Sequence, residues 1–249
     1  MFFVDKTKNR CYTVFRKRNG VIDLNIKEKI NLDRNALIEQ GAVTIVAFGD
    51  SVTHGCFGLG EFDYENVYHV LLKKKILELK NYVPINVINS GISGTCASDS
   101  LLRMEKQVFS HNPDLIIVAF GLNDINGSLE EYISSLEKIF SECNRRGVET
   151  IFMTPNMMCT YTSEETPKEY IETAKRLAGY QTSGRMDEYI DSARKLAYKM
   201  GIKVADCYSV WKEMSKTEDT TRLLSNRINH PTREMHKLFA DKIFECIFE

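Results

Sequence analysis

The sequence predicts a three-layer α/β/α fold built on a doubly wound parallel sheet. Two observations carry this. Five short apolar runs, Val43–Phe48, Ile85–Asn89, Leu115–Phe120, Val148–Met153 and Ile202–Ala205, alternate with amphipathic helical stretches. Strand–helix alternation with right-handed crossovers builds a sheet covered on both faces. Leu115–Phe120 is also apolar throughout, which suits a central strand buried on both sides.

Each element has its own local signal. Residues 1–42 stand outside the alternation: Cys11–Phe15 is rich in β-formers, and Ile22, Leu24 and Ile26 alternate with Asp23 and Asn25. They predict an N-terminal extension with a short β arm, leaving 43–249 as the main domain. Val67, Val70, Leu71, Lys74 and Leu77 share a stripe, predicting a helix over Glu65–Asn81 that ends before Pro84. A further helix is expected over Ala97–Phe109, with the break marked by Pro113. Leu129–Arg146 has the clearest helical spacing, and Gly147 supplies its stop. Pro155–Gly184 is long and polar, with a short helical signal over Pro167–Leu177. A connection of that length suits a segment bordering a site. Helices are expected over Met186–Met200 and Tyr208–Met214, and a last one after Pro231 that buries Met235, Leu238, Phe239, Ile243 and Ile247.

Composition narrows the function. The 249 residues suit one α/β domain with a sizeable core, and 43% hydrophobic with 27% charged is ordinary for a globular protein. A net charge of -1 gives no reason to expect nucleic acid or an anionic membrane as partner. No apolar run approaches the ~20 residues of a membrane span. The opening MFFVDKTKNR is too short in apolar residues for a signal peptide. The sequence therefore reads as cytoplasmic, although a leader already removed would leave no trace. Seven scattered cysteines with no Cys-x-x-Cys pair argue against a disulfide framework and a structural zinc site. Five dispersed histidines supply no metal cluster, so neither metal nor cofactor is expected. Cys56 and Cys96 lie within five residues of Ser51 and Gly91 and are candidates to line a site.

Four short motifs carry the chemistry: Gly49-Asp50-Ser51, Asn89-Ser90-Gly91-Ile92-Ser93-Gly94, Gly121-Leu122-Asn123-Asp124 and Asn229-His230-Pro231. The first three sit at predicted strand ends, the edge where open α/β sheets bind ligands. Alone, each reads as a turn, a helix cap or a surface histidine. Together and in this order they resemble the SGNH (GDSL-like) hydrolase family, over about Val43 to Ile247. That resemblance implies the flavodoxin-like strand order 2-1-3-4-5. It also implies Ser51 as nucleophile, His230 as general base, and an oxyanion hole from the Ser51 and Gly91 N–H groups and the Asn123 side chain. The residue types fit, since ester hydrolysis needs an activated hydroxyl, a base titrating near neutrality and donors for developing charge.

The chain departs from the family at one place. An aspartate is expected three residues before the histidine, but that position is Arg227, which accepts no hydrogen bond. Allowing one inserted residue brings Asn226 into the acid's place. Its oxygen, or a backbone carbonyl beside it, is then expected to accept from the His230 Nδ1–H; Glu218 or Asp219 from the preceding loop is the alternative. Competing motifs fail: Gly55, Gly58 and Gly60 run opposite to the dinucleotide fingerprint, and there is no phosphate-binding loop or G-x-S-x-G pentapeptide. The expected function is a serine esterase acting on small acyl esters, acetyl groups on carbohydrates first, with a small-molecule or glycan ester as partner. The alternatives are a lysophospholipase, thioesterase or acyltransferase on the same parts, or a catalytically silent binding module.

Overall fold

The computed structural model describes residues 17–18, 21–22, 24–58 and 60–249. Its five-stranded sheet contains β1 (Val43–Gly49), β2 (Ile85–Gly91), β3 (Leu115–Ala119), β4 (Glu149–Met153) and β5 (Lys203–Ala205). The order is β2-β1-β3-β4-β5 with every pairing parallel, the arrangement expected from the resemblance. All five residues of β3 are buried, in keeping with its unbroken apolar run. The helices are α1 (Ile26–Ile30), α2 (Arg34–Gln40), α3 (Ser51–His54), α4 (Tyr68–Leu79), α5 (Leu129–Arg146), α6 (Ile171–Thr182), α7 (Arg185–Lys199), α8 (Cys207–Met214) and α9 (Arg233–Phe248). α4 packs with α9 on one face of the sheet, and α5 with α7 on the other.

α5 matches its expected range because its ends are written locally. The Ser128 hydroxyl accepts from the Glu131 N–H, Gly147 takes φ 64°, and Tyr132, Leu136, Ile139, Phe140 and Cys143 face the core. The stretch Ala97–His111 is different: a single helix was expected, and four short α and 3-10 turns are found. Its course is set by tertiary bonds. Asp124 Oδ1 accepts from the Ala97 N–H, and Arg103 reaches the carbonyls of Gly49 and Ser90. The helical signal after Pro167 is longer than expected, continuing as α6 to Thr182.

The stretch Cys11–Phe15 lies outside the described residues. Lys17–Arg18 and Val21–Ile22 pair antiparallel, but the alternation does not continue through Ile26. Asn25 caps α1 there, its side chain accepting from the Glu28 N–H while Glu28 bonds back to the Asn25 N–H. α1 buries Ile26 and Ile30 and is tied to the amino-terminal edge of the sheet by Ile26 N–H to Glu149 and Lys29 to Asp114. That edge lies opposite the strand ends carrying the motifs. A small hairpin, Cys56–Gly58 against Glu61–Phe62, follows α3. Its strands are too short to show periodicity in the sequence.

Candidate active site

Ser51 opens α3 directly beyond β1, where Gly49 permits a close approach: a Cβ there would collide with Thr53 and the Ala119 carbonyl. The Asp50 carboxylate accepts from the Val52 N–H at 3.0 Å, and the Thr53 hydroxyl meets Tyr68 at 3.0 Å. Arg103 donates to the Gly49 carbonyl at 2.9 Å and the Ser90 carbonyl at 2.6 Å, clamping the ends of β1 and β2 together. Burial raises the Asp50 carboxyl to about 7, against the lowering effect of the Val52 N–H. Asp124, also raised by burial, to about 6, stands near it.

His230 meets this serine from the far end of the chain, with Nε2 2.9 Å from Ser51 Oγ. Both line a cavity of about 540 Å³ together with Asn123, Ser93 and Gly94. Asn123 Nδ2 donates to the Thr95 carbonyl at 3.1 Å, and an amide NH₂ keeps a second hydrogen for the cavity. The Ser51 N–H is the first of its helix and so has no intrahelical acceptor.

Two expected roles need correction. Gly91 ends β2 inside the sheet, does not line the cavity, and gives its N–H to Asn89 Oδ1 at 2.9 Å. A Cβ at Gly91 would strike the backbone of Thr53 and His54, so this glycine serves close packing against α3. Gly94 is the glycine that faces the cavity; among the described residues its N–H has no protein acceptor. The motif holds both glycines three residues apart; the strand runs on past Asn89 through Gly91, which puts Gly91 in the sheet and leaves Gly94 beyond it.

Asn226 lines the cavity but makes no bond to the imidazole. Its Oδ1 accepts from the N–H groups of Ile228, Asn229 and His230 at 2.9–3.0 Å, and its Nδ2 donates to Asn229 Oδ1. The loop is closed by the Ser225 N–H on the His230 carbonyl at 2.7 Å. Arg227, at φ 59°, turns its guanidinium to Glu165 and to the carbonyls of Arg222 and Leu224. Asp219 caps the turn over Thr220–Leu223 and accepts from Tyr161. His230 Nδ1 is therefore buried with no partner among the described residues, and burial pushes the imidazole down to about 4. Ser51 and His230 thus meet as a pair, with no third side chain on the imidazole among the described residues.

Cys56 lines the cavity, its thiol donating to the Gly58 carbonyl, whereas Cys96 does not. From the long connection, Glu165, Pro167, Tyr170 and Thr173 form one wall. Among the described residues no group of three or more His, Cys, Asp and Glu is placed to hold a metal, and no helix is long and apolar enough to cross a membrane.

Comparison with known proteins bears on this geometry. The model of the GDSL-like Lipase/Acylhydrolase family matches residues 45–243. The chain belongs to that family. It is 25% identical over 217 residues to an acetylxylan esterase of Geobacillus stearothermophilus, covering 79% of this chain and 90% of that one. It is 23% identical over 224 residues to the uncharacterized lipoprotein YqeF of Bacillus subtilis (strain 168), covering 84% and 89%. The crystal structure of the acetylxylan esterase Axe2 from Geobacillus stearothermophilus superposes with a TM-score of 0.65 at 21% identity, covering 83% of this chain and 94% of that chain. Family membership makes this GDSL-like protein a carboxylic ester hydrolase.

Proposed function

We propose that this esterase removes small acyl groups, acetyl foremost, from carbohydrate esters through an acyl-enzyme on Ser51. The observation that carries the reading is the 2.9 Å contact between Ser51 Oγ and His230 Nε2 at the floor of an open cavity with mixed polar and apolar walls. The acetylxylan esterase relative supports the substrate class.

In this mechanism Ser51 Oγ attacks the ester carbonyl while His230 Nε2 takes its proton. The oxyanion is met by the N–H groups of Ser51 and Gly94 and by Asn123 Nδ2. Collapse breaks the bond to the sugar oxygen, which takes the proton from His230 and leaves as the hydroxyl, with the acetyl group esterified to Ser51. Water, deprotonated by the same imidazole, then releases acetate and restores the serine. With no carboxylate at Nδ1, the imidazolium formed in each half receives no charge stabilisation, so turnover is modest. Asn226 acts through the loop, fixing where the ring stands.

Acetate release from acetylated xylo-oligosaccharides, compared with p-nitrophenyl esters of increasing acyl length, tests the reading. Turnover that falls steeply beyond acetyl and persists on the sugar ester supports it. Preference for long acyl chains moves the protein to the lysophospholipase or thioesterase reading, and acyl transfer to an alcohol faster than to water makes it an acyltransferase. A cytoplasmic place belongs to the same proposal, supported by six free cysteines among the described residues. Recovery of the native protein in the membrane fraction, as for a lipoprotein, overturns that part.

A further inference from the structure

Phe62 is 42% exposed and Tyr64 55% exposed, beside a site whose other large aromatics are mostly covered. They form one cluster with His54. The His54 and Phe62 rings are 4.8 Å apart, and the Phe62 and Tyr64 planes are within 14° of parallel with centroids 6.2 Å apart. Phe62 lines the same cavity as Ser51 and His230. We propose that this aromatic ledge is the leaving-group subsite of the esterase, and that it holds the pyranose ring carrying the scissile ester. The inference rests on the carbohydrate-ester reading above and adds the residues that recognise the sugar.

The ledge is anchored although Phe62 and Tyr64 are exposed. Arg233 on α9 donates to Glu61 at 2.9 Å and Asp63 at 2.7 Å, on either side of Phe62, and its guanidinium covers the buried Phe57 ring. The Asp63 N–H bonds the Gly55 carbonyl, and Asp63 also accepts from the Glu65 and Asn66 N–H groups. His54 is held by Nδ1 against the Ser93 hydroxyl at 3.0 Å. An exposed aromatic surface that is also preorganised loses little entropy when a ligand covers it.

The surroundings select the ligand. A pyranose presents a flat face of polarised C–H bonds, which suits the negative face of an aromatic ring, and a girdle of hydroxyls. Ser93, Thr173, Ser225 and Asn229 line the same cavity and supply donors and acceptors for that girdle. A long acyl chain has no hydroxyls to satisfy them and calls for an enclosed apolar groove, whereas the ledge is open to water.

The test compares kcat/KM on an acetylated xylo-oligosaccharide with kcat/KM on ethyl acetate, whose leaving group has no ring. In Phe62→Ala that ratio is expected to fall about tenfold, chiefly through KM for the sugar ester. Tyr64→Ala gives a smaller fall in the same direction, and Phe62→Trp keeps the wild-type ratio. A ratio unchanged in both alanine variants, with the wild-type protein active on the sugar ester, overturns the subsite and leaves the function intact. Wild-type turnover of ethyl acetate with none of the sugar ester overturns both.

Discussion

Ser51 stands at the end of a central strand, while His230 stands in a loop tied to the segment after β4. The serine's surroundings are fixed by the sheet: β1 is paired on both sides, and Arg103 gathers the carbonyls of Gly49 and Ser90. The histidine's surroundings are fixed by side chains. Asn226 gathers three N–H groups, Asn156 holds the Asn229 carbonyl at 2.9 Å, and the Cys159 N–H bonds the Ile228 carbonyl. The serine half takes its geometry from the sheet. The histidine half has no partner at Nδ1 among the described residues and still brings Nε2 to the serine, because loop bonds do the positioning.

The largest expected effect is on the sheet side. Ser51→Ala removes the only hydroxyl within reach of His230 Nε2 among the described residues and is expected to abolish ester turnover with the fold intact. A fluorophosphonate probe should label Ser51 and no other serine. Wild-type-like turnover in the variant, or labelling elsewhere, breaks the assignment. Asn123→Ala comes next, with kcat lowered by roughly 10²–10³ and KM little changed, the usual result of losing one oxyanion donor. A variant altered in KM alone would move Asn123 to ground-state binding.

The loop side gives a smaller and more discriminating effect. Asn226→Ala frees three buried-side N–H groups and should lower kcat/KM about 10²-fold by letting His230 drift. Asn226→Asp keeps an oxygen for those N–H groups and should retain most activity without exceeding wild type, because the carboxylate is turned to the backbone. A rise above wild type in the aspartate variant would mean that residue 226 reaches the ring after all. Stopped assays on ethyl acetate with both variants decide this.

The same contrast explains what was legible in the sequence. Strand runs such as Leu115–Phe120 state their burial directly, and α5 carries its own cap and stop. Ser51, Asn123 and His230 were legible because each is a reactive or donor type beside a strand end or helix start. Gly91 and Gly94 were not separable, since only packing against α3 reveals which one is buried in the sheet and which faces the cavity. Asn226 was misread in role because a side-chain oxygen has limited acceptor capacity, and the backbone of its own loop filled it. The hairpin carrying Phe62 was invisible: strands of three and two residues have no period to read.

The smallest expected effect is on stability, where buried imidazoles and buried carboxyls push in opposite directions. Burial lowers His230 to about 4, His69, which meets the Thr53 carbonyl beside the serine, to about 4, and His236 on α9 to about 3, from 6.5. Each is neutral when folded and takes a proton more readily when unfolded, so between pH 4 and 6.5 stability rises with pH. By contrast, burial raises Asp50 to about 7 and Asp124 to about 6, from 3.8. These hold protons in the folded state that the unfolded chain has released, so they make stability fall as pH rises through the same range. Asp63 and Glu142, held low by hydrogen bonds from Asn66 and Arg145, act mainly below this window. From pH 4.5 to 6 three histidines oppose two aspartates, so Tm is expected to rise only shallowly with pH. Asp50→Asn keeps an acceptor for the Val52 N–H and removes one opposing carboxyl, so it should steepen the slope. Calorimetry across that range is the measurement, and a Tm that falls from pH 4.5 to 6 in the wild-type protein would mean that the buried carboxyls outweigh the buried imidazoles.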